Sequence, residues 1–193
     1  MVDVADAVAV AQFLVEEGEA DGERLVIEGG SAGGYTTLCA LAFEDVFAAG
    51  VNHFGVVDLE TFAEDTHKFE ARYLDLLVGA YPQERELYQE RSPVDRADDI
   101  RAPLLTFQGL DDRVVPPSQS EQLIDALERN GVPYAYLAFE GEGHGFRRRE
   151  NLLRVPTSTL SFLAQIFGFE PADELEPVEI KNLASARRTA ASS

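Results

Sequence analysis

Ser31 stands between two glycine pairs in ERLVIEGGSAGGYTTLCALAF, residues 23–43, and the run Gly29-Gly30-Ser31-Ala32-Gly33 spells G-x-S-x-G. A β-branched segment, Arg24 to Glu28, reads as a strand before it, and Ala32 to Phe43 reads as a helix after it. In that setting the pattern makes a nucleophile elbow, a strained turn that lifts a serine hydroxyl to the top of a sheet. Glycines suit so sharp a turn because a Cβ would clash there. Taken alone, the same spelling also suits a Gly-rich turn with a capping serine.

A serine hydroxyl is a weak nucleophile until a base takes its proton, so the elbow calls for a histidine. The chain has three. His144, in EGEGHGF, follows a strand candidate at Pro133 to Phe139 and lies in a glycine-flanked loop. His53 falls in an apolar stretch and reads as a core or rim residue, while His67 reads as a surface residue or rim contact within an insertion. The base in turn needs a buried acid to fix its tautomer and orientation. QGLDDRVVPP, after the strand candidate Pro103 to Gln108, offers Asp111 and Asp112, although an aspartate pair before arginine also suits an Asx turn. Ser, then Asp, then His, each just past a strand, is the chain order of the α/β-hydrolases.

The elements that must position these residues alternate strand with helix. Val4, Val8, Ala11, Phe13, Leu14 and Val15 recur at helical spacing, predicting an amphipathic helix over about 3–17. A second strand is expected at Val46 to Val51, and helices at Pro117 to Arg129, closed by Gly131, and at Arg148 to Phe167. Such alternation means βα units and a parallel sheet. Residues 55–100 exceed what one crossover needs. Phe69, Tyr73, Leu76 and Leu77 predict one helix there and Glu84 to Glu90 another, in an insertion placed to roof an active site. The reading is one domain over 1–168, with 169–193 a mobile polar tail ending in ASARRTAASS.

Composition narrows the function. The chain has 193 residues with 45% hydrophobic and 26% charged, enough for one folded domain with a proper core. A single cysteine, Cys39, excludes an intrachain disulfide and reads as a small core residue. Three scattered histidines and one cysteine make no ligand cluster, so no metal or organic cofactor is expected. No signal sequence and no bilayer-length apolar run is visible, which leaves the cytoplasm as the expected location. A net charge of -19 argues against nucleic acid or an anionic membrane as partner.

Together, GGSAGGYTTL, FQGLDDRVVPPSQSEQL and FEGEGHGF resemble the catalytic domain of the prolyl oligopeptidase family of serine peptidases. The branch it resembles is that of the acylaminoacyl peptidases and dipeptidyl aminopeptidases, and DTHKFEARYLDLLVG is similar to bacterial and archaeal members. The resemblance covers about residues 3–168. It implies Ser31 as nucleophile, His144 as general base and Asp112 as the acid, three residues after Gly109 and four before Pro116, with Asp111 the fallback. It implies the Ala32 N–H as one oxyanion donor, with Tyr35 and Phe54 lining the pocket for the residue before the scissile bond.

Family members carry a β-propeller that restricts entry to short peptides, and none of it is visible here. The resemblance also implies a partial α/β-hydrolase fold, its N-terminal strands and second oxyanion donor lying upstream of what this sequence contains. A truncated or mis-started gene product and a standalone remnant both fit. The expected reaction is hydrolysis of short peptides through an acyl-serine. A carboxylesterase of the same fold is one rival, and a non-catalytic fragment needing a partner for the missing strands is the other. An unpaired sheet edge would favour self-association.

The charge balance yields a test by itself. Lys68 and Lys181 are the only lysines beside 35 acidic residues, a balance expected of a protein kept soluble in concentrated salt. Crowded carboxylates repel, and the Debye length shrinks to about 3 Å at 1 M salt. The melting temperature is therefore expected to rise from millimolar to molar KCl; a flat or falling curve would separate the acidity from salt adaptation.

Overall fold

The computed structural model describes residues 1–65 and 73–184. His67, Lys68 and Phe69 of the insertion, and the terminal run from Ser185, lie outside the described residues. Four strands, β1 (Val26–Gly30), β2 (Ala49–His53), β3 (Leu104–Gly109) and β4 (Tyr134–Phe139), form one sheet in the order β1-β2-β3-β4. Every pairing is parallel. Parallel strands cannot be joined by tight hairpins, so a crossover separates each pair. Each predicted strand is present, with boundaries no more than three residues from those expected.

Helices cover both faces. On one lie α1 (Val2–Glu16), α2 (Ala32–Phe43) and α6 (Pro117–Asn130); on the other lies α7 (Arg149–Phe167). Strand side chains alternate between them. Leu104 and Tyr134 pack with Leu38, Leu41, Leu123 and Leu127 from α2 and α6. Leu105, Phe107, Ala135 and Phe139 pack with Phe162 of α7. β3 is buried along its whole length, as a central strand covered on both faces must be. α6 and α7 stop at Gly131 and Gly168, both left-handed, the conformation that closes a helix without a Cβ penalty.

The insertion supplies short helices α3 (Leu59–Asp65), α4 (Tyr73–Leu77) and α5 (Arg85–Arg91). They have their own small core of Val56, Leu59, Tyr88 and Val115. Gln119 of α6 stitches this layer to the sheet: its Oε1 accepts the Val57 and Asp58 N–H groups at 2.8 Å each.

One expectation needs correction. Residues 169–184 do not leave the fold as a free tail. Lys181 exchanges backbone bonds with Tyr134 of β4, at 2.8 and 3.2 Å, and Val178 and Ile180 pack against the α7-side core. The polar composition hid a two-residue alternation, Val178-Glu179-Ile180, which turns two apolar side chains inward. α1, the helix expected over about 3–17, is covered only in part. Its buried stripe is narrow, Val4 and Ala11 with Val8 beside them, whereas Val10 and Phe13 are 59% and 57% exposed.

The two sheet edges therefore differ. Lys181 pairs with the first residue of β4, while among the described residues no strand pairs with the outer edge of β1. Unpaired N–H and C=O groups beside an open apolar helix face favour strand addition. The 193-residue chain is expected to self-associate through β1 and the Val10–Phe13 face of α1, and size-exclusion chromatography with light scattering checks it. A monodisperse monomer at micromolar concentration would reject this surface as a self-contact.

Candidate active site

The carboxyl ends of all four strands converge on one place. Ser31 directly follows β1 and has φ 56°, ψ -117°, outside the regions most residues occupy. Such a backbone costs of order 1–3 kcal/mol and persists only where the surroundings impose it. Here the Ser31 N–H is held by the His53 carbonyl at 2.9 Å, and the Tyr35 N–H returns to the Ser31 carbonyl at 2.9 Å to start α2. The glycines do not all do the expected work. A Cβ on Gly29 would strike the Gly33 carbonyl, so that residue must be glycine, whereas Gly33 faces open space and Gly30 would meet only ordinary contacts.

His144 bridges the other two. Its Nε2 lies 2.7 Å from Ser31 Oγ and its Nδ1 lies 2.9 Å from Asp112 Oδ2. An ionised carboxylate only accepts, so Nδ1 carries the proton and donates to Asp112, leaving Nε2 to accept from the serine hydroxyl. Asp112 is 4% exposed. Its Oδ1 accepts the Val114 and Val115 N–H groups at 2.8 and 2.9 Å, which fixes the carboxylate in one orientation. Asp111 is exposed, and its backbone N–H bonds the Glu142 carbonyl. Of the aspartate pair, the histidine contact is thus made by Asp112.

The Ala32 N–H sits directly after Ser31 as the first of α2, where a helix offers no internal acceptor. Phe54 follows β2 with φ 42° and sets its ring edge-on to His144 at 4.8 Å. Tyr35 goes elsewhere. Its hydroxyl donates to the Arg91 carbonyl at 3.0 Å, and the ring packs with the insertion core. One helical turn past Ser31, it faces the α5 side rather than the imidazole, and burial raises its pKa. His53 is a rim residue as read: its Nε2 lies 2.8 Å from Glu28 Oε1 and its ring stacks on Phe107.

Sequence reading missed Phe146, which touches Phe54 at 5.3 Å and Phe139 at 4.8 Å and so continues the aromatic core up to the imidazole. The available signal was its place two residues after His144. Cys39 is buried, and burial pushes its thiol up to about 12, which leaves no thiolate near neutrality. Among the described residues no group of three His, Cys, Asp or Glu side chains is arranged to hold a metal ion.

With this geometry in view, the comparison with known proteins is decisive at family level. Residues 1–170 match the Prolyl oligopeptidase family. The chain belongs to that family. It is 37% identical over 169 residues to dipeptidyl aminopeptidase BIII of Pseudoxanthomonas mexicana, covering 84% of this chain and 24% of that protein. A puromycin-hydrolyzing peptidase of Mycobacterium tuberculosis superposes with a TM-score of 0.90 at 50% identity, over 94% of this chain and 27% of its own. The acylaminoacyl peptidase of Pyrococcus horikoshii superposes with a TM-score of 0.75 at 27% identity, over 86% and 27%. The prolyl oligopeptidase family match thus extends over most of this chain, which spans about a quarter of the length of these relatives. Its parallel four-stranded sheet flanked by helices is the α/β-hydrolase architecture of these neighbours, present in part.

The two aspartates can be separated by experiment. Asp112→Asn removes the acceptor that fixes the His144 tautomer and is expected to slow Ser31 modification by a fluorophosphonate by about 10⁴. Asp111→Asn, an exposed change, is expected to stay within about twofold. Equal losses, or a larger loss at Asp111, would reverse the assignment of the acid.

Proposed function

We propose that the chain is a serine peptidase that hydrolyses short peptides through an acyl-serine intermediate. The observation that carries the proposal is the unbroken sequence of contacts from buried Asp112 through His144 to Ser31, at 2.9 and 2.7 Å. Each distance is within the reach general-base catalysis requires. The family relationship supports the same reaction class.

Each residue then has one task. Ser31 Oγ attacks the scissile carbonyl carbon while its proton passes to His144 Nε2. The carbonyl π electrons move onto oxygen, and the Ala32 N–H donates to the oxyanion. Collapse re-forms the carbonyl and breaks the C–N bond, with Nε2 returning the proton to the leaving amine. Water, activated by the same imidazole, cleaves the acyl-serine and releases the acid. Asp112 stabilises the imidazolium formed in both halves without taking its proton. Phe54, edge-on to the ring, borders the space where substrate must lie.

Among the described residues, Ala32 is the backbone donor directly after the nucleophile. The chain is expected to label at Ser31 with a fluorophosphonate and to cleave aminoacyl and N-acyl peptide anilides, with Ser31→Ala abolishing both. Comparison with p-nitrophenyl esters distinguishes a peptidase from an esterase. A folded chain whose Ser31 resists the phosphonate from pH 6 to 9 would overturn the proposal.

A further inference from the structure

His144 rides on a loop that has little reason to stay put. Residues 140–148 join β4 to α7 and include Gly141, Gly143 and Gly145, two of them at positive φ. Glycines widen the backbone choices open to such a segment. The bonds from His144 to Ser31 and Asp112 cannot be its sole anchor, since the proton on the Ser31 side moves during the reaction proposed above. Something else must hold the loop.

Glu142 is built for that role. It is 2% exposed, and its carboxylate is fully engaged. Oε2 accepts the Arg147 N–H at 3.0 Å, while Oε1 accepts the Arg148 N–H at 2.9 Å and Asn151 Nδ2 at 2.8 Å. These donors lie at the start of α7, where the helix dipole also favours negative charge. The Glu142 main chain meanwhile reaches the opposite side: its carbonyl accepts the Asp111 N–H at 2.8 Å. The loop lies so close to the end of β3 that a Cβ on Gly109 would come 2.5 Å from the carbonyl oxygens of Glu142 and Gly143. One residue thus ties the histidine loop to α7 through its side chain and to the aspartate loop through its backbone.

A buried carboxylate without partners would be costly, and a carboxylate with three donors binds them more strongly than a neutral acceptor does. Burial pushes the Glu142 carboxyl up, yet the Asn151, Arg148 and Arg147 donors outweigh it and hold it below the usual glutamate range. We infer that the Glu142 carboxylate is a positioning residue for His144, clamping the loop so that the imidazole meets Ser31 and Asp112 together. The kinetic part of this inference rests on the peptidase reading; the structural part does not.

The test follows the His144 Nδ1 proton by ¹⁵N-edited NMR in the full chain, alongside the rate of Ser31 phosphonylation. Glu142→Gln keeps the shape but turns one acceptor into a donor facing N–H groups. It is expected to speed solvent exchange of the Nδ1 proton and to slow labelling, each by at least about tenfold. Asn151→Ala removes one donor outside the loop; it is expected to shift both in the same direction by a smaller factor, and it decides the matter if the glutamine variant does not fold. A folded variant with a lowered melting temperature but wild-type exchange and labelling would overturn the inference, making Glu142 a fold residue alone. Should the unaltered chain fail to label, the peptidase reading falls, while the exchange rate still judges Glu142.

Discussion

The structure depends on the parallel ladder running one residue past the ends of β1, β2 and β3. Ser31 N–H bonds the His53 carbonyl, Phe54 N–H bonds the Phe107 carbonyl, and Leu110 N–H bonds the Phe139 carbonyl. Each bond fixes the first residue after one strand against the last part of its neighbour. Ser31 and His144, 113 positions apart, meet because that staircase sets the heights of their loops together. A one-residue slip between β1 and β2 would send alternate side chains to the wrong face and break the Ser31 anchor with it. The register that buries Val51 and Phe107 is the same one that aligns the reacting groups.

Much of this was legible in the sequence because the informative signals were local. G-x-S-x-G between a strand and a helix, an aspartate pair after another strand, and a histidine among glycines each mark a strand's carboxyl end. Residue order then joined them, while the choice of Asp112 over Asp111 came from the family resemblance, the residues alone leaving both open. What sequence could not give was direction around a helix. Tyr35 lies one turn past Ser31 and suits a pocket by type, but its hydroxyl is taken by the Arg91 carbonyl of α5. That partner comes from the insertion, whose helices could be read from sequence but not the side of α2 against which they pack.

The segment 176–182 was misread for a different reason. Its two inward residues, Val178 and Ile180, are outnumbered by Glu176, Glu179, Lys181 and Asn182, so average composition reads as polar linker. Burial is decided by side-chain parity along the extended segment, not by the mean. Ser161 and Gln165 of α7 complete the docking by bonding the Val178 backbone at 3.1 and 2.9 Å. α1 shows the converse: its apolar residues occupy more of the circumference than α2 covers, which leaves Val10 and Phe13 exposed.

Strain and support are arranged as a pair around the imidazole. Ser31 and Phe54 are both non-glycine residues at positive φ, and both sit where a central ladder bond pins the N–H. Relaxing either would swing a side chain away from His144: the hydroxyl in one case, the aromatic edge in the other. Opposing them, Phe146 wedges between Phe54 and Phe139, and aromatic contacts of this kind add about 0.5–1.5 kcal/mol each beyond area burial. Two such contacts are of the same order as the cost of one strained backbone. The aromatic column from Phe139 through Phe146 and Phe54 to His144 is therefore of a size to offset the elbow's strain locally.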